Sequence, residues 1–226
     1  RRVLFRSGEK LIEEIKQNDD LHTFINNPLA LLLLCVVYED HKGMLPSSLT
    51  NLYQIIVRCI LRRHCKKRGV KARKDDRDLE KQFDRYILPL GERAWNCLLD
   101  NRHSFRKDEL KGLKSDEKLV VCELGLVYQE ESSKRLNPKH EYCFLHKSFQ
   151  EYLAALYIVD ELRQNQFSLF EYLDFDHVTE EFYQLFRFAC GIGREEECTL
   201  IKQIGRNLEG NWDWLKCNER QWIFFV

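Results

Sequence analysis

Cys143–Ala155 reads CFLHKSFQEYLAA, and the fold turns on how that stretch is understood. Glu141–Leu145, which overlaps its start, carries Tyr142, Phe144 and Leu145, residues that suit a pleated, half-buried surface. Ser148 stands three residues before Glu151, the spacing of a capping box. There the serine hydroxyl takes a first-turn N–H and the glutamate reaches back to the serine amide. Beyond it Phe149, Leu153, Leu156 and Tyr157, with Tyr152 beside them, follow the i, i+4, i+7, i+8 pattern of one buried helix face. The stretch is therefore a strand passing into a capped helix, with His146 at the junction. Unpaired N–H groups at such a helix start favour an anion.

Composition bounds what surrounds it. The 226 residues suffice for one to two domains. Hydrophobic residues make up 44% and charged residues 32%, a globular balance far from disorder. Only four prolines and ten glycines occur, which favours long regular elements. The formal net charge is zero, so no overall field draws the chain to nucleic acid or acidic lipid. Nine cysteines are scattered without a CxxC pair, and Cys35, Cys97 and Cys122 lie in apolar helical contexts. Such thiols behave as small buried hydrophobes, and the pattern points to a reducing compartment, hence a cytoplasmic location. The longest apolar run, Leu29–Val37, is too short to span a bilayer.

Outward from the junction, the chain reads as mainly α. Arg1–Ser7 is read as lying outside the fold, and Lys10–Lys16 as a short amphipathic helix. Pro28 suits a first helical position, and Leu29–Val37, apolar all round, predicts a buried helix ended by Lys42-Gly43. Ser47 or Ser48 caps the next helix, with Leu49, Leu52, Tyr53, Ile56, Ile60 and Leu61 at helical spacing. Arg62–Lys74 holds eight Arg and Lys residues and is followed by Asp75, Asp76 and Asp78. It reads as a solvated helix end and linker, because cations suit a helix C-terminus and no aromatics interleave for base stacking. Leu79–Leu99 predicts a helix kinked or divided at Pro89, with Phe83, Tyr86, Ile87, Leu90, Ala94, Trp95 and Leu98 facing inward.

Phe105–Leu113 predicts a short helix around Leu110, and Asp116–Leu124 a third, carrying Leu119, Val120, Cys122 and Leu124. Gly125 fits a left-handed helix end. Leu126–Gln129 is a strand, Glu130–Lys139 a polar loop and Glu141–Leu145 the returning strand. Three helices followed by a two-stranded wing make a winged helix. Helices are then expected over Glu180–Cys190 and Glu195–Leu208. The aromatic end, Trp212–Val226, stops mid-element, so the chain is expected to be a piece of a longer protein. The predicted architecture is a helical subdomain over 8–74, a winged-helix subdomain with a small β-hairpin wing over 75–162, and further helices over 163–226.

Phe144, His146, Phe149, Gln150, Glu151, Tyr152, Leu153 and Ala154 resemble the end of the winged-helix subdomain of NACHT-type STAND NTPases, the regulatory cores of NOD-like receptors. Asn27-Pro28-Leu29 with its aliphatic run, then Leu45-Pro46 and Leu52-Tyr53, resembles the helical subdomain of that family. Many members carry Gly two residues before the proline; here the residue is Asn26, which also tolerates turns. The resemblance implies that His146 contacts the β-phosphate of bound ADP in a closed, resting state. It implies that Pro28 packs against the adenine or ribose. It also implies ADP and ATP as cofactors, with Mg supplied by an upstream nucleotide-binding subdomain. A downstream repeat sensor, self-association on exchange to ATP, and innate-immune or cell-death signalling follow from the same likeness. The start of a second helical subdomain would lie over 163–226. Read on its residues alone, His146 is a junction histidine with no ligand, and Pro28 an ordinary helix start.

Other chemistries find little support. No GxxxxGK[ST] phosphate loop occurs in these residues, nor a strand ending in an acidic cluster for Mg²⁺, so this chain by itself is not expected to hydrolyse ATP. His140, Cys143 and His146 have a spacing that brings zinc to mind. On a strand, however, Cys143 points away from both histidines, and no fourth ligand is near. No GxSxG or HExxH motif appears. The third helix carries Asp116, Glu117, Lys118 and Glu123 and is net acidic, which argues against lying among DNA phosphates. The competing reading is a winged-helix nucleic-acid-binding or protein-interaction domain with no nucleotide role.

Overall fold

The computed structural model describes residues 2–17, 28–40, 46, 48–130, 140–164 and 182–193. The chain divides into two compact units, Arg1–Phe83 and Asp84–Val226, and each is taken by itself.

In the first unit, α1 spans Arg2–Gln17 and buries Leu11 and Ile15, one turn apart. Arg2–Ser7 thus continues the helix instead of lying outside the fold; no proline interrupts it, and Gly8 alone does not stop it. α2 spans Pro28–Asp40, with proline at the first position as expected. It buries Leu34, Val37 and Tyr38, but Leu32 is 60% and Val36 48% exposed. The run is therefore not buried all round: α2 packs on α3 (Leu49–Arg68) through one stripe, and composition alone does not say how many neighbours a helix has.

α3 begins where expected. Ser48 is its N-cap and accepts the Asn51 N–H at 3.2 Å; Gly69 closes it at φ +66°, a left-handed conformation that costs glycine little. The basic stretch that follows is mostly exposed, as read. Arg58 pairs with Glu80 at 2.6 Å, and Arg62 with Asp76 at 2.7 Å. Arg62 also donates to the carbonyls of Arg73 and Lys74.

α4 spans Asp76–Leu99 with Pro89 inside it. It is one helix, not two. Proline removes one ladder bond, but Ile87, Leu90, Ala94, Trp95 and Cys97 are all buried around it, which offsets that loss.

The second unit holds a three-stranded antiparallel sheet in the order β1–β3–β2, formed by Ser104–Arg106, Glu141–Phe144 and Val127–Glu130. Phe105 opposes Tyr142, and Val127 opposes Phe144. The segment read as a helix over Phe105–Leu113 is instead β1 and a 3-10 turn, Lys107–Glu109. A three-residue strand carries almost no local signal; its pairing with β3 decides it, and Phe105 packs 5.4 Å from Phe144, centroid to centroid. α5, Ser115–Glu123, buries Val121 but leaves Leu119 45% exposed. The Glu117 carboxylate accepts the Lys114 N–H at 2.9 Å and pairs with Arg85. Gly125 stands at φ +93°, the left-handed position anticipated for it.

α6 spans Lys147–Arg163 and packs on α7, Tyr183–Ile192. Tyr152 meets the Phe188 ring edge-on at 5.3 Å. The buried face of α6 is wider than one stripe: Phe149 through Ala155 are all buried. The mainly α class with a small sheet is what the chain shows. The loop over 131–139, the helix end at Lys42-Gly43, the helix read over Glu195–Leu208 and the tail Trp212–Val226 lie outside the described residues.

Candidate functional site at the strand-to-helix junction

β3 is the central strand, and the backbone leaving it is held on both flanks. The Phe144 N–H donates to the His103 carbonyl at 3.2 Å, and the Leu145 N–H to the Leu126 carbonyl at 3.4 Å. His146 is still extended (φ −163°, ψ 156°), yet its carbonyl accepts the N–H groups of Phe149 and Gln150 at 3.0 and 3.2 Å. The helix starts there. The His146 Nδ1 accepts the Ser148 N–H at 3.2 Å and lies 2.7 Å from the Ser148 hydroxyl oxygen.

His146 is thus the N-cap of α6, in place of the Ser148–Glu151 capping box expected. The substitution has a simple geometric basis. Nδ1 stands as many bonds from the backbone as the Oδ1 of aspartate or asparagine, the residues that favour this position. The ring is half-buried, and burial lowers its pKa below the usual histidine value. Glu151, freed from capping, is buried instead, at 6% exposure. Burial pushes its carboxyl up to about 7, with Lys147 pulling the other way.

Gln150 supplies a second anchor. It is fully buried; its amide donates to the Arg102 carbonyl at 2.8 Å and the Ala94 carbonyl at 3.3 Å. Its carbonyl oxygen lies 3.0 Å from His103 Nδ1. One side chain so joins α6 to the end of α4 and to the segment entering β1. The sequence reading singled out Gln150 only as a motif member. The missed signal was a long amide set among apolar neighbours, where burial demands partners.

Close by, Arg93 and Arg102 share Glu109 at 3.0 and 3.4 Å. Burial would raise the Glu109 pKa, but the Arg106 amide and the two guanidinium groups outweigh it and lower it. Arg93 is 8% exposed, and its Nε is buried without a partner.

Pro28 is the first residue of α2 in the first unit, whereas His146 belongs to the second. The three residues weighed for zinc have separate engagements. His140 Nδ1 lies 2.8 Å from Gln129 Nε2, the Cys143 thiol donates to Glu130 Oε2 at 3.5 Å, and His146 caps its helix. Among the described residues, no group of three or more His, Cys, Asp or Glu stands where it could hold a metal ion. Among them too, no helix is long and apolar enough to cross a membrane.

No known family model matches the chain. Curated proteins do resemble it. The chain is 22% identical over 209 residues to NLR family CARD domain-containing protein 4 of Bos taurus, covering 87% of this chain and 19% of that protein. It is 20% identical over 217 residues to the protein of that name from Rattus norvegicus, covering 90% and 20%. Against that from Mus musculus it is 20% identical over 204 residues, covering 87% and 19%. The chain spans about a fifth of the length of the curated relatives it matches. The likeness to these NLR family proteins is distant and runs over most of this chain.

Proposed function

We propose that these residues form a regulatory portion of a NACHT-type signalling NTPase. In this reading 8–74 is the helical subdomain, 75–162 the winged helix and 163–226 the start of a second helical subdomain. They close over ADP held by an upstream nucleotide-binding subdomain, which also supplies Mg and the parts that hydrolyse ATP. His146 contacts the β-phosphate and Pro28 packs on the adenine or ribose. Exchange to ATP releases the His146 contact and permits self-association, in a cytoplasmic receptor with a downstream repeat sensor.

The observation that carries the reading is the placement of His146. It follows the central strand by two residues and caps α6, its Nδ1 accepting the Ser148 N–H. The first-turn amides of Ser148, Phe149 and Gln150 are taken up by His146 itself, so what favours an anion here is the positive end of the helix dipole and the imidazole beside it. The distant likeness to NLR family proteins over most of the chain adds to it. One hydrogen bond to a charged phosphate contributes about 1.5–3 kcal/mol, which shifts a closed–open balance by roughly tenfold or more.

The test uses the full-length protein carrying His146→Asn, since asparagine also caps helices well and the fold is retained. Faster ADP release and a larger assembled fraction by light scattering are expected. Unchanged release and an unchanged oligomer distribution would overturn the assignment.

A further inference from the structure

His146 Nδ1 is met by two polar groups of one residue. The Ser148 backbone N–H points at Nδ1 from 3.2 Å, and the Ser148 hydroxyl oxygen is 2.7 Å from the same atom. A hydroxyl hydrogen can rotate to suit its partner. A backbone N–H cannot: its direction is fixed by the peptide plane, and here that plane belongs to the first turn of α6. A proton on Nδ1 would therefore meet the amide hydrogen head-on and leave that amide without an acceptor at a half-buried helix start.

We infer that Ser148, through its amide and hydroxyl, is a positioning residue that fixes His146 as the tautomer protonated at Nε2. The ring then carries its proton on Nε2 and accepts at Nδ1 from its own helix. Such a donor suits a ligand that offers oxygen lone pairs and carries no proton at the point of contact, as a phosphate does. The inference deepens the nucleotide assignment and, for the ligand, rests on it; the tautomer itself does not. Burial, which lowers the ring's pKa, acts in the same sense, because it favours the neutral ring.

The experiment takes the full-length protein labelled with ¹⁵N at histidine, the His146 signals being assigned by difference with His146→Asn. At neutral pH the imidazole nitrogen shifts are expected to show an unprotonated Nδ1 and a protonated Nε2. A dominant Nδ1–H form would overturn the inference outright.

Ser148→Ala removes the hydroxyl while keeping the amide. It is expected to raise the share of the Nδ1–H form and to speed ADP release roughly two- to fivefold, the loss of one ordinary hydrogen bond. Ser148→Thr, which keeps a hydroxyl, is expected to restore both. In the double variant with His146→Asn the serine change should add nothing to ADP release, since its effect passes through the ring. Additive effects, or nitrogen shifts indifferent to Ser148→Ala, would refute the positioning role. If His146→Asn leaves ADP release unchanged while the Nε2–H tautomer and its response to Ser148→Ala are observed, the nucleotide assignment fails and the positioning role stands.

Discussion

Gly91 on α4 lies directly against the main-chain carbonyl of Leu153 on α6: a methyl carbon on it would stand 2.6 Å from that oxygen and 2.9 Å from Tyr157 Cβ. The neighbour is backbone, which cannot rotate away. Alanine normally favours a helix over glycine by about 1 kcal/mol; here the contact reverses the sign. Gly91→Ala is expected to destabilise the fold by about 1–3 kcal/mol, as overpacking does. Urea unfolding measures it, and a variant as stable as the parent would show that the two helices separate easily.

Gln150 is the polar pin of the junction. Gln150→Ala leaves the Ala94 and Arg102 carbonyls without a donor they now have. With a buried cavity added, the expected loss is about 2–4 kcal/mol. Gln150→Leu, which fills the space but supplies no donor, should recover only part of it. Equal stability of the leucine variant and the parent, by denaturant midpoint, would mean that these hydrogen bonds contribute nothing net.

Glu151 makes stability depend on pH. Its carboxyl is raised to about 7 in the fold by burial, against about 4.3 in an unfolded chain. Between those values the folded state keeps a proton that the unfolded state has released. Stability from this residue therefore falls as pH rises through that window and levels off above about 7. The full drop approaches about 3–4 kcal/mol. Glu151→Gln should flatten the slope between pH 5 and 8. Lys147→Ala should push the upper edge of the window higher, since Lys147 opposes the shift. Unfolding curves at the two pH values, with and without each substitution, decide it.

The cap separates stability from any ligand role. His146→Ala removes the acceptor for the Ser148 N–H and should cost about 1 kcal/mol. His146→Asn should cost almost nothing, because its side-chain oxygen takes the same amide. A thermal-melt comparison with no nucleotide present would show the two variants apart; identical melts would remove the capping role.

What was legible in the sequence was local. Ser48 opens α3 through a bond that spans three residues, and a serine before an apolar run announces it. Gly125 was readable for the same reason. β1 was not, because Ser104–Arg106 becomes a strand only through partners near position 142, and no three-residue window carries that. The exposed Leu32 and Val36 were misjudged since burial depends on what lies opposite, not on apolarity. At the junction itself the strand, the helix and His146 were placed correctly, while the cap was given to Ser148. The spacing rule knows serine as an acceptor at helix starts; it has no place for an imidazole doing that job while serine donates.

The sheet order has a mechanical consequence. β3 has a hydrogen-bonded neighbour along each edge, so the strand that delivers His146 cannot swing out like a flap. It behaves as an axle between two bearings. Any motion that carries the imidazole must turn the whole ribbon and the opening coil of α6 together, with the pivots lying elsewhere along the chain. Amide exchange at Tyr142 and Phe144 should then stay slow in every conformation the protein visits.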